Sequence, residues 1–568
     1  MAPYTSFFTR WVNYSPTLLV VLILVPVGAG LLGVLLPAFG WLPALGESTF
    51  NTRGFTALWN TAGFMSMALL SYATSLISTL IVVIISCFIL ASYFNSKLLS
   101  YVQRVLGPIL VIPHAAAAIA IGFLIAPSGF VMRLFSPWLT GVEQPPDILL
   151  PNDPFGLSII IGLVLKELPF ILLMTLAALQ QKEINHTINA HFSLAKSLGY
   201  HPFTGFFKVV LPTLYPFMRL PIYAILAYSS ASIEIPLILG PNAPPTLAVA
   251  IMQWFNDVDL NLRIKASAGA IAQLFVTLLV LFSWWLFEKL VMAFAKSSLV
   301  NGRRVYADRA WRILTHCITL LIIFAIIFSL MGLILWSFAG YWSFPHAFPD
   351  TLVSTHWQNV LSQIPETLSN TLIVGVVSTS LALVLTLFAL EAEQQQQKPL
   401  STATSLLIYL PLLIPSIAFL FGIVWMKEQI GGGSVFLYVI MGHLLFVLPY
   451  VFLSMATSFR KLDQRYAAVA ASLGCSPWRI FWQVKLPQLS IPMLFTYALG
   501  LAISFSQYLP TLLLGGGRIN TLTTEAVALS SGSSRRLTAV YVIMQLALPA
   551  LGFLLAWLIP KIIFRQRQ

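Results

Sequence analysis

The sequence predicts an all-α polytopic membrane protein of about twelve transmembrane helices, built as two parallel six-helix halves. Three observations predict it: a composition too apolar for a soluble chain, a succession of apolar runs of spanning length, and an internal repeat at an offset of 275 residues.

Hydrophobic types make up 58% of the 568 residues and charged types only 9%, with a mean hydropathy of +0.87. A soluble globular chain carries about 25% charged residues. A chain this long with so few cannot cover its surface against water, which excludes an ordinary soluble enzyme, a disordered protein and a disulfide scaffold. The net charge is +13, from 31 Lys+Arg and 18 Asp+Glu. In such a chain a basic excess reads as the cytoplasmic bias of membrane proteins, and no basic run interleaved with aromatics points to nucleic acid. Cys87 and Cys317 fall in apolar runs and Cys475 in a polar loop, with no CxxC spacing, so neither a metal site nor a disulfide framework is indicated.

A bilayer-spanning helix needs about 20 mostly apolar residues. The first half offers 17–38, 69–92, 105–126, 156–180, 217–239 and 268–292, and the second 312–337, 367–390, 404–426, 434–457, 490–514 and 537–560. The first run follows Arg10, is longer than a signal-peptide core and precedes no small-x-small cleavage site, so it reads as a retained anchor. Twelve spans put both termini on one side. With that side cytoplasmic, the inner segments hold 21 of the 31 Lys+Arg, including Arg565 and Arg567 at the C-terminal end, and the outer segments hold 8. That asymmetry places the termini inside. The outer segments are rich in Pro, Gly and Trp and too short for a folded domain.

Residues 195–247 and 470–522 match without gaps, with 19 of 53 columns identical, where Leu-rich composition alone would give about a tenth. A weaker match joins Ile112-Pro113-His114 to Ile414-Pro415-Ser416. The domains expected are therefore a first half, 1–296, a basic cytoplasmic linker, 297–311, and a second half, 312–568. Six spans per half is an even number, so the halves share one orientation.

The repeat is strongest in a loop rather than a span. One copy runs from Ser193 to Pro212, between the fourth and fifth spans, and the other from Ala468 to Pro487. Each reads as helix, turn, helix. Gly199 and Gly474 suit the left-handed position that ends a helix, and Pro202 and Pro477 suit the first turn of the next. The second helix is amphipathic, with Phe206, Phe207 and Val210, or Phe481, Trp482 and Lys485, at helical spacing. Small residues permit close approach and exposed aromatics would anchor a partner. A loop packing only on its own spans has no reason to recur at a fixed offset.

These loops resemble the EAA loop, E-A-A-x-x-x-G-x(12)-P, of permeases of binding-protein-dependent ABC importers. Gly199 to Pro212 and Gly474 to Pro487 are each 13 positions, as in that pattern, and Ala195 and Ala470 keep its last alanine. Ser193 and Ala468 stand where the pattern has Glu, and Leu194 and Val469 where it has the first alanine. The resemblance spans essentially the whole chain, as two fused permease halves, and is similar to the iron(III)- and thiamine-type permeases and the YnjC-type family. It implies the type I ABC importer permease fold in a bacterial inner membrane, with no enzymatic activity and no cofactor of its own. It further implies a dimer of ATP-binding subunits on the two loops and a periplasmic or extracellular substrate-binding protein. The coupling residues it implies are Ala195, Gly199, Pro202, Phe206, Leu211 and Pro212, with Ala470, Gly474, Pro477, Phe481, Leu486 and Pro487.

Ionisable groups inside spans are costly and are functional candidates. Glu234 lies in the fifth span, in a segment resembling the S-x-G-E-F of related permeases, and Gln507 lies near its place in the second half. Both are candidates for lining the translocation path, with a structural carboxylate paired to Arg219, Lys166 or a backbone amide as the alternative. Lys166-Glu167, toward the outer end of the fourth span, reads as structural, because neighbours in sequence do not share a helix face. His114 reads as a satisfied polar group, and the breaks at Pro113 and Pro415 as backbone exposed to the path. No G-x(4)-G-K-[ST] loop is present, so ATP hydrolysis is expected in a separate subunit. A twelve-helix secondary transporter is the alternative; it would repeat its signal in the spans and carry buried coupling acids. An intramembrane enzyme would need a catalytic constellation that the sequence does not offer.

Overall fold

Apolar runs of this length leave a chain one way to satisfy its backbone in a membrane, by hydrogen bonding within each helix. The computed structural model describes residues 7–532 and 534–563, and Arg565 and Arg567 lie outside the described residues. Among the described residues, β pairing is limited to two isolated bridges, Leu42 with Glu47 and Ala339 with Leu352.

In chain order the first sequence half contains α1 (Phe7–Ala38), α2 (Phe64–Tyr93), α3 (His114–Ile125), α4 (Leu157–Leu179) and α5 (Lys182–Ser197). It continues with α6 (Pro202–Ser230), α7 (Glu234–Leu239), α8 (Leu247–Phe255) and α9 (Leu262–Val300). The second half contains α10 (Asp308–Phe338), α11 (Pro365–Gln396), α12 (Ile417–Ile430), α13 (Val435–Arg460) and α14 (Gln464–Ser472). It ends with α15 (Pro477–Gln488), α16 (Ser490–Ser506), α17 (Leu509–Gly515), α18 (Leu522–Ser530) and α19 (Arg535–Ile563).

Among the described residues ten helices are long and apolar enough to cross a membrane, and eleven if α15 and α16, bent by 77°, count as one. The sequence predicts about twelve. The missing one is 404–426, which is broken into Thr402–Ile408, Leu410–Leu413 and the 14-residue α12. Pro415 explains the second break, since the residue before a proline is pushed out of the α region and Ile414 is extended. Pro113 acts likewise on Ile112, so the third span begins at His114 rather than near 105 and runs on to Phe135. The fifth and eleventh spans stop early, at Ser230 and Ser506, where short breaks precede α7 and α17.

The chain packs as two units, one of residues 36–357 and 529–540, the other of residues 1–35, 358–528 and 541–568. These units do not coincide with the sequence halves 1–296 and 312–568 joined by the linker 297–311. The first span of each half packs in the unit formed mainly by the other half. In the second unit α1 lies against α12 so closely that a Cβ on Gly33 would sit 2.7 Å from the Cα of Gly422. Only small residues permit such backbone-to-backbone approach in a membrane. In the first unit α10 is held by Phe328 stacked on Phe130 at 5.7 Å and by His316 Nδ1, 2.7 Å from the Tyr93 hydroxyl. Helix covers both ends of the segment 297–311, since α9 continues to Val300 and α10 starts at Asp308.

Candidate functional site

The two repeated loops fold alike. After α5 the chain closes with Gly199 at φ +81°, the Gly199 N–H bonded to Lys196 O at 3.0 Å and the Tyr200 N–H to Ala195 O at 3.0 Å. After α14 the same closure forms at Gly474, φ +80°, with the Gly474 N–H on Ala471 O at 3.0 Å and the Cys475 N–H on Ala470 O at 3.1 Å. This is the paired 6→1 and 5→2 helix ending that a glycine at C′ allows. Pro202 and Pro477 then begin α6 and α15 at a position where their missing N–H costs nothing. Phe206–Val210 and Phe481–Lys485 both form a π-helical turn, just before Leu211-Pro212 and Leu486-Pro487. Pro212 and Pro487 offer no N–H to the preceding carbonyls, and the helix widens there instead.

Side-chain directions differ from what periodicity suggested. Phe206 and Phe481 are buried, as are Val210, Lys485, Ala195 and Ala470. Phe206 packs 5.6 Å from Phe94, while Phe481 packs 5.8 Å from Phe388 and 5.7 Å from Phe8. They are anchors of the loop to its own unit and offer nothing to a partner. The exposed apolar side chains are Leu194 and Leu198 in one loop and Val469, Leu473, Trp478 and Trp482 in the other. Gly199, Pro202, Pro212, Gly474, Pro477 and Pro487 are exposed, Leu211 half-buried and Leu486 buried.

The loops are fastened by different polar groups. In the second, Lys485 Nζ lies 2.6 Å from Glu391 Oε2 and 2.8 Å from Oε1, both side chains being less than a tenth exposed. In the first, Val210 holds the place of Lys485, and the fastening is Asp308, whose carboxylate accepts from the Thr204 N–H at 3.0 Å and its hydroxyl at 2.6 Å. Asp308 and Glu391 both lie outside the repeat, so the repeat does not reveal them.

The family model for the binding-protein-dependent transport system inner membrane component matches residues 386–567. The inner membrane ABC transporter permease protein YnjC of Escherichia coli is 32% identical over 468 residues, 81% of each chain. This chain belongs to the permeases of binding-protein-dependent ABC importers. The spermidine/putrescine transport system permease protein PotC homolog of Mycoplasma genitalium is 28% identical over 29% of this chain and 59% of its own. The putative 2-aminoethylphosphonate transport system permease protein PhnV of Salmonella typhimurium is 26% identical over 39% of this chain and 83% of its own. The importer permease, a multi-pass transport component of the inner membrane, therefore stands over the secondary transporter.

Within the permease's spans, the polar groups divide by the backbone they serve. Lys166 sits near the middle of α4 rather than toward its outer end, and its ammonium donates to the carbonyls of Ile109, at 3.1 Å, and of Ile112, freed by the break before α3. His114 Nδ1 and Glu167 Oε1 face each other at 4.0 Å, with the His114 ring 4.6 Å from that of Tyr228. Arg219 pairs with Glu288 at 2.9 Å, and Glu288 also accepts from Tyr215 at 2.7 Å. Glu234 is the first residue of α7 and is half-buried. Gln507 caps the end of α16 and, at the 275 offset, falls opposite Ser232; the position opposite Glu234 is Leu509.

Two further repeated contacts escaped the sequence. Ser71 Oγ accepts the Leu247 N–H at 3.0 Å, and Thr371 Oγ1 accepts the Leu522 N–H at 3.0 Å, capping α8 and α18. Buried Gln273 donates to Ser230 O at 2.9 Å, at the end of α6. Buried Gln545 reaches the equivalent Phe505 carbonyl through the Thr523 hydroxyl, which it contacts at 2.7 Å. Each glutamine serves the carbonyl left open where a span breaks.

Proposed function

We propose that this permease forms the translocation pathway of its importer and is driven through the two repeated loops, which seat on a dimer of separate ATP-binding subunits. The single observation that carries the reading is the loop device itself. A glycine-closed helix, a proline start and a π-helical turn recur at one offset in both halves. In each copy buried aromatics root the loop and exposed Leu198 or Leu473 stands beside the closing glycine. Small exposed turns flanked by apolar side chains are what a groove on a partner can accept.

The finer parts of the reading follow from the same frame. The termini lie in the cytoplasm, on the side of the basic excess. A substrate-binding protein delivers cargo at the opposite face. The two sequence halves are the two repeats that the ATPase dimer drives, and the coupling residues are Ala195, Gly199, Pro202, Phe206, Leu211 and Pro212 with Ala470, Gly474, Pro477, Phe481, Leu486 and Pro487. Of these, the glycines and prolines present the loop and the buried residues root it. Glu234 and Gln507 line the path at the broken fifth and eleventh spans.

Purification in mild detergent from the native host, with mass spectrometry of co-eluting chains, tests the reading. An ATP-binding subunit at two copies per permease is the expected result. A permease that elutes alone, and transports in vesicles on a proton or sodium gradient without ATP, would sink it. In the assembled importer, Leu at both Gly199 and Gly474 should abolish ATP-driven transport with membrane insertion unchanged.

A further inference from the structure

The segment between the two sequence halves is more than a tether. It lies along the first coupling loop and bonds to it at several points. Lys208 Nζ donates to Asn301 O at 2.7 Å, Asn301 Oδ1 at 2.7 Å and Arg303 O at 2.8 Å. The His201 N–H donates to Arg304 O at 3.1 Å. Asp308, 1% exposed, accepts from the Thr204 N–H and hydroxyl and from the Tyr306 N–H at 2.7 Å, and lies 2.5 Å from His201 Nδ1. Ala307, just before it, adopts φ +48°, a left-handed conformation that L-residues hold only where the surroundings impose it.

The second loop carries different residues at these places. At the 275 offset His201, Thr204 and Lys208 become Ser476, Arg479 and Gln483. Ser476 caps its own helix by accepting from the Arg479 N–H at 3.4 Å. The second loop instead has the buried Glu391–Lys485 pair, where the first has Val210 in place of the lysine. Aromatic packing nevertheless lies beneath both loops: Phe88 meets Phe203, Phe207 and Trp311, and Phe388 meets Phe481 and Phe8. The shared packing roots both loops, and the polar fastening sets them apart.

We propose that Asn301–Asp308 is a strap that positions the first coupling loop, with Asp308 the positioning residue, so that the two loops are held by separate chemistries. A carboxylate that is buried and triply bonded to backbone and hydroxyl groups is a stiff link, because each bond to a charged acceptor is stronger than a neutral one and its loss leaves the charge unpaired. The strap joins the two halves covalently, so fusion itself contributes to the placement of this loop. The consequence for transport rests on the coupling-loop reading; the strap does not.

The test uses the full chain in lipid nanodiscs, with Cys317→Ser, Cys475→Ser and one reporter, Leu198→Cys or Leu473→Cys, 53% and 77% exposed in the parent. The rate of modification by a charged maleimide is measured for each. Asp308→Ala and Thr204→Val should each raise the rate at position 198 by about fivefold or more and leave position 473 within about twofold. Glu391→Gln should do the reverse. Lys208→Gln, which installs the residue the second loop already carries, should raise the rate at 198 and serves where the first two variants do not fold. Equal changes at both reporters, or none at 198 in any folded variant, would overturn the strap. Adding the ATP-binding subunit should protect both reporters in the parent chain and lose protection at 198 alone in Asp308→Ala. If the parent shows no protection at either reporter, the coupling-loop reading fails while the strap is still judged by the rates without the subunit.

Discussion

Replacing Lys485 by Met removes one partner of a buried ion pair and keeps its volume. Glu391 would then be left charged, 2% exposed and without its cation. Breaking a buried pair from one side costs about 3–5 kcal/mol. Gln395 still donates to Glu391 Oε1 at 2.9 Å, so the lower end, about 3 kcal/mol, is the expected loss. At about 1.4 kcal/mol per decade this raises the local opening of the second loop by about two orders of magnitude. Amide hydrogen exchange across Gln464–Gln488 in nanodiscs reads that opening directly. The double variant Glu391→Leu, Lys485→Met should return close to the parent, because replacing a whole buried pair by apolar groups is often neutral. The first loop already carries Val210 at the lysine position. Unchanged exchange in Lys485→Met, or a double variant as labile as the single, would refute the claim that this pair fastens the loop.

Three more outcomes are expected. Gly422→Val should lower the yield of monodisperse protein on size exclusion, because a Cβ there runs into the Gly30 carbonyl, whereas Gly28→Val, with no neighbour within 4 Å, should not. The Asp350 carboxylate accepts from the Ser343 N–H and lies 2.6 Å from His346 Nδ1, and these bonds, the backbone one first, hold its pKa below the usual carboxylate value. A depressed folded pKa contributes stability that is present above the ordinary carboxylate range near pH 4 and is lost as pH falls below it. Protection of the Gly340 and Thr351 amides, taken relative to the intrinsic exchange rate at each pH, should therefore fall only below about pH 4, and Asp350→Asn should lower it at pH 7 as well. For Glu234, the Gln variant should reduce transport if the carboxylate lines the path; full transport in Glu234→Gln with a lowered folded yield in Glu234→Ala would leave it a structural cap on α7.

Much of this permease was legible in its sequence, because local chemistry sets it. Apolar runs of spanning length dictate helices, Gly199 and Gly474 dictate how α5 and α14 end, and Pro202 and Pro477 dictate where α6 and α15 begin. The duplication was visible because the loop repeats without gaps. A single offset, however, misses what drifts. Ser71 and Thr371 stand 300 apart and Gln273 and Gln545 stand 272 apart, since the segments between the spans differ in length. Their equivalence shows only in the bonds they make.

Tertiary packing decided the rest. Whether Phe206 and Phe481 faced a partner or the interior could not be read from periodicity, because an amphipathic face has the same spacing whichever surface it meets. The breaks before α3 and α12 were foreshadowed by Pro113 and Pro415, yet the lysine that answers one of them, Lys166, comes from a span about fifty residues on. Composition, periodicity and turn chemistry act over a few residues, so sequence alone carried an all-helical polytopic chain with two matched loops, and the pattern of those loops carried the resemblance to importer permeases. Only the fold decided that α1 and α10 change units and that Asp308 grips one loop while Glu391 grips the other. Those pairings join residues as much as 104 positions apart, and no local rule chooses a partner at that distance.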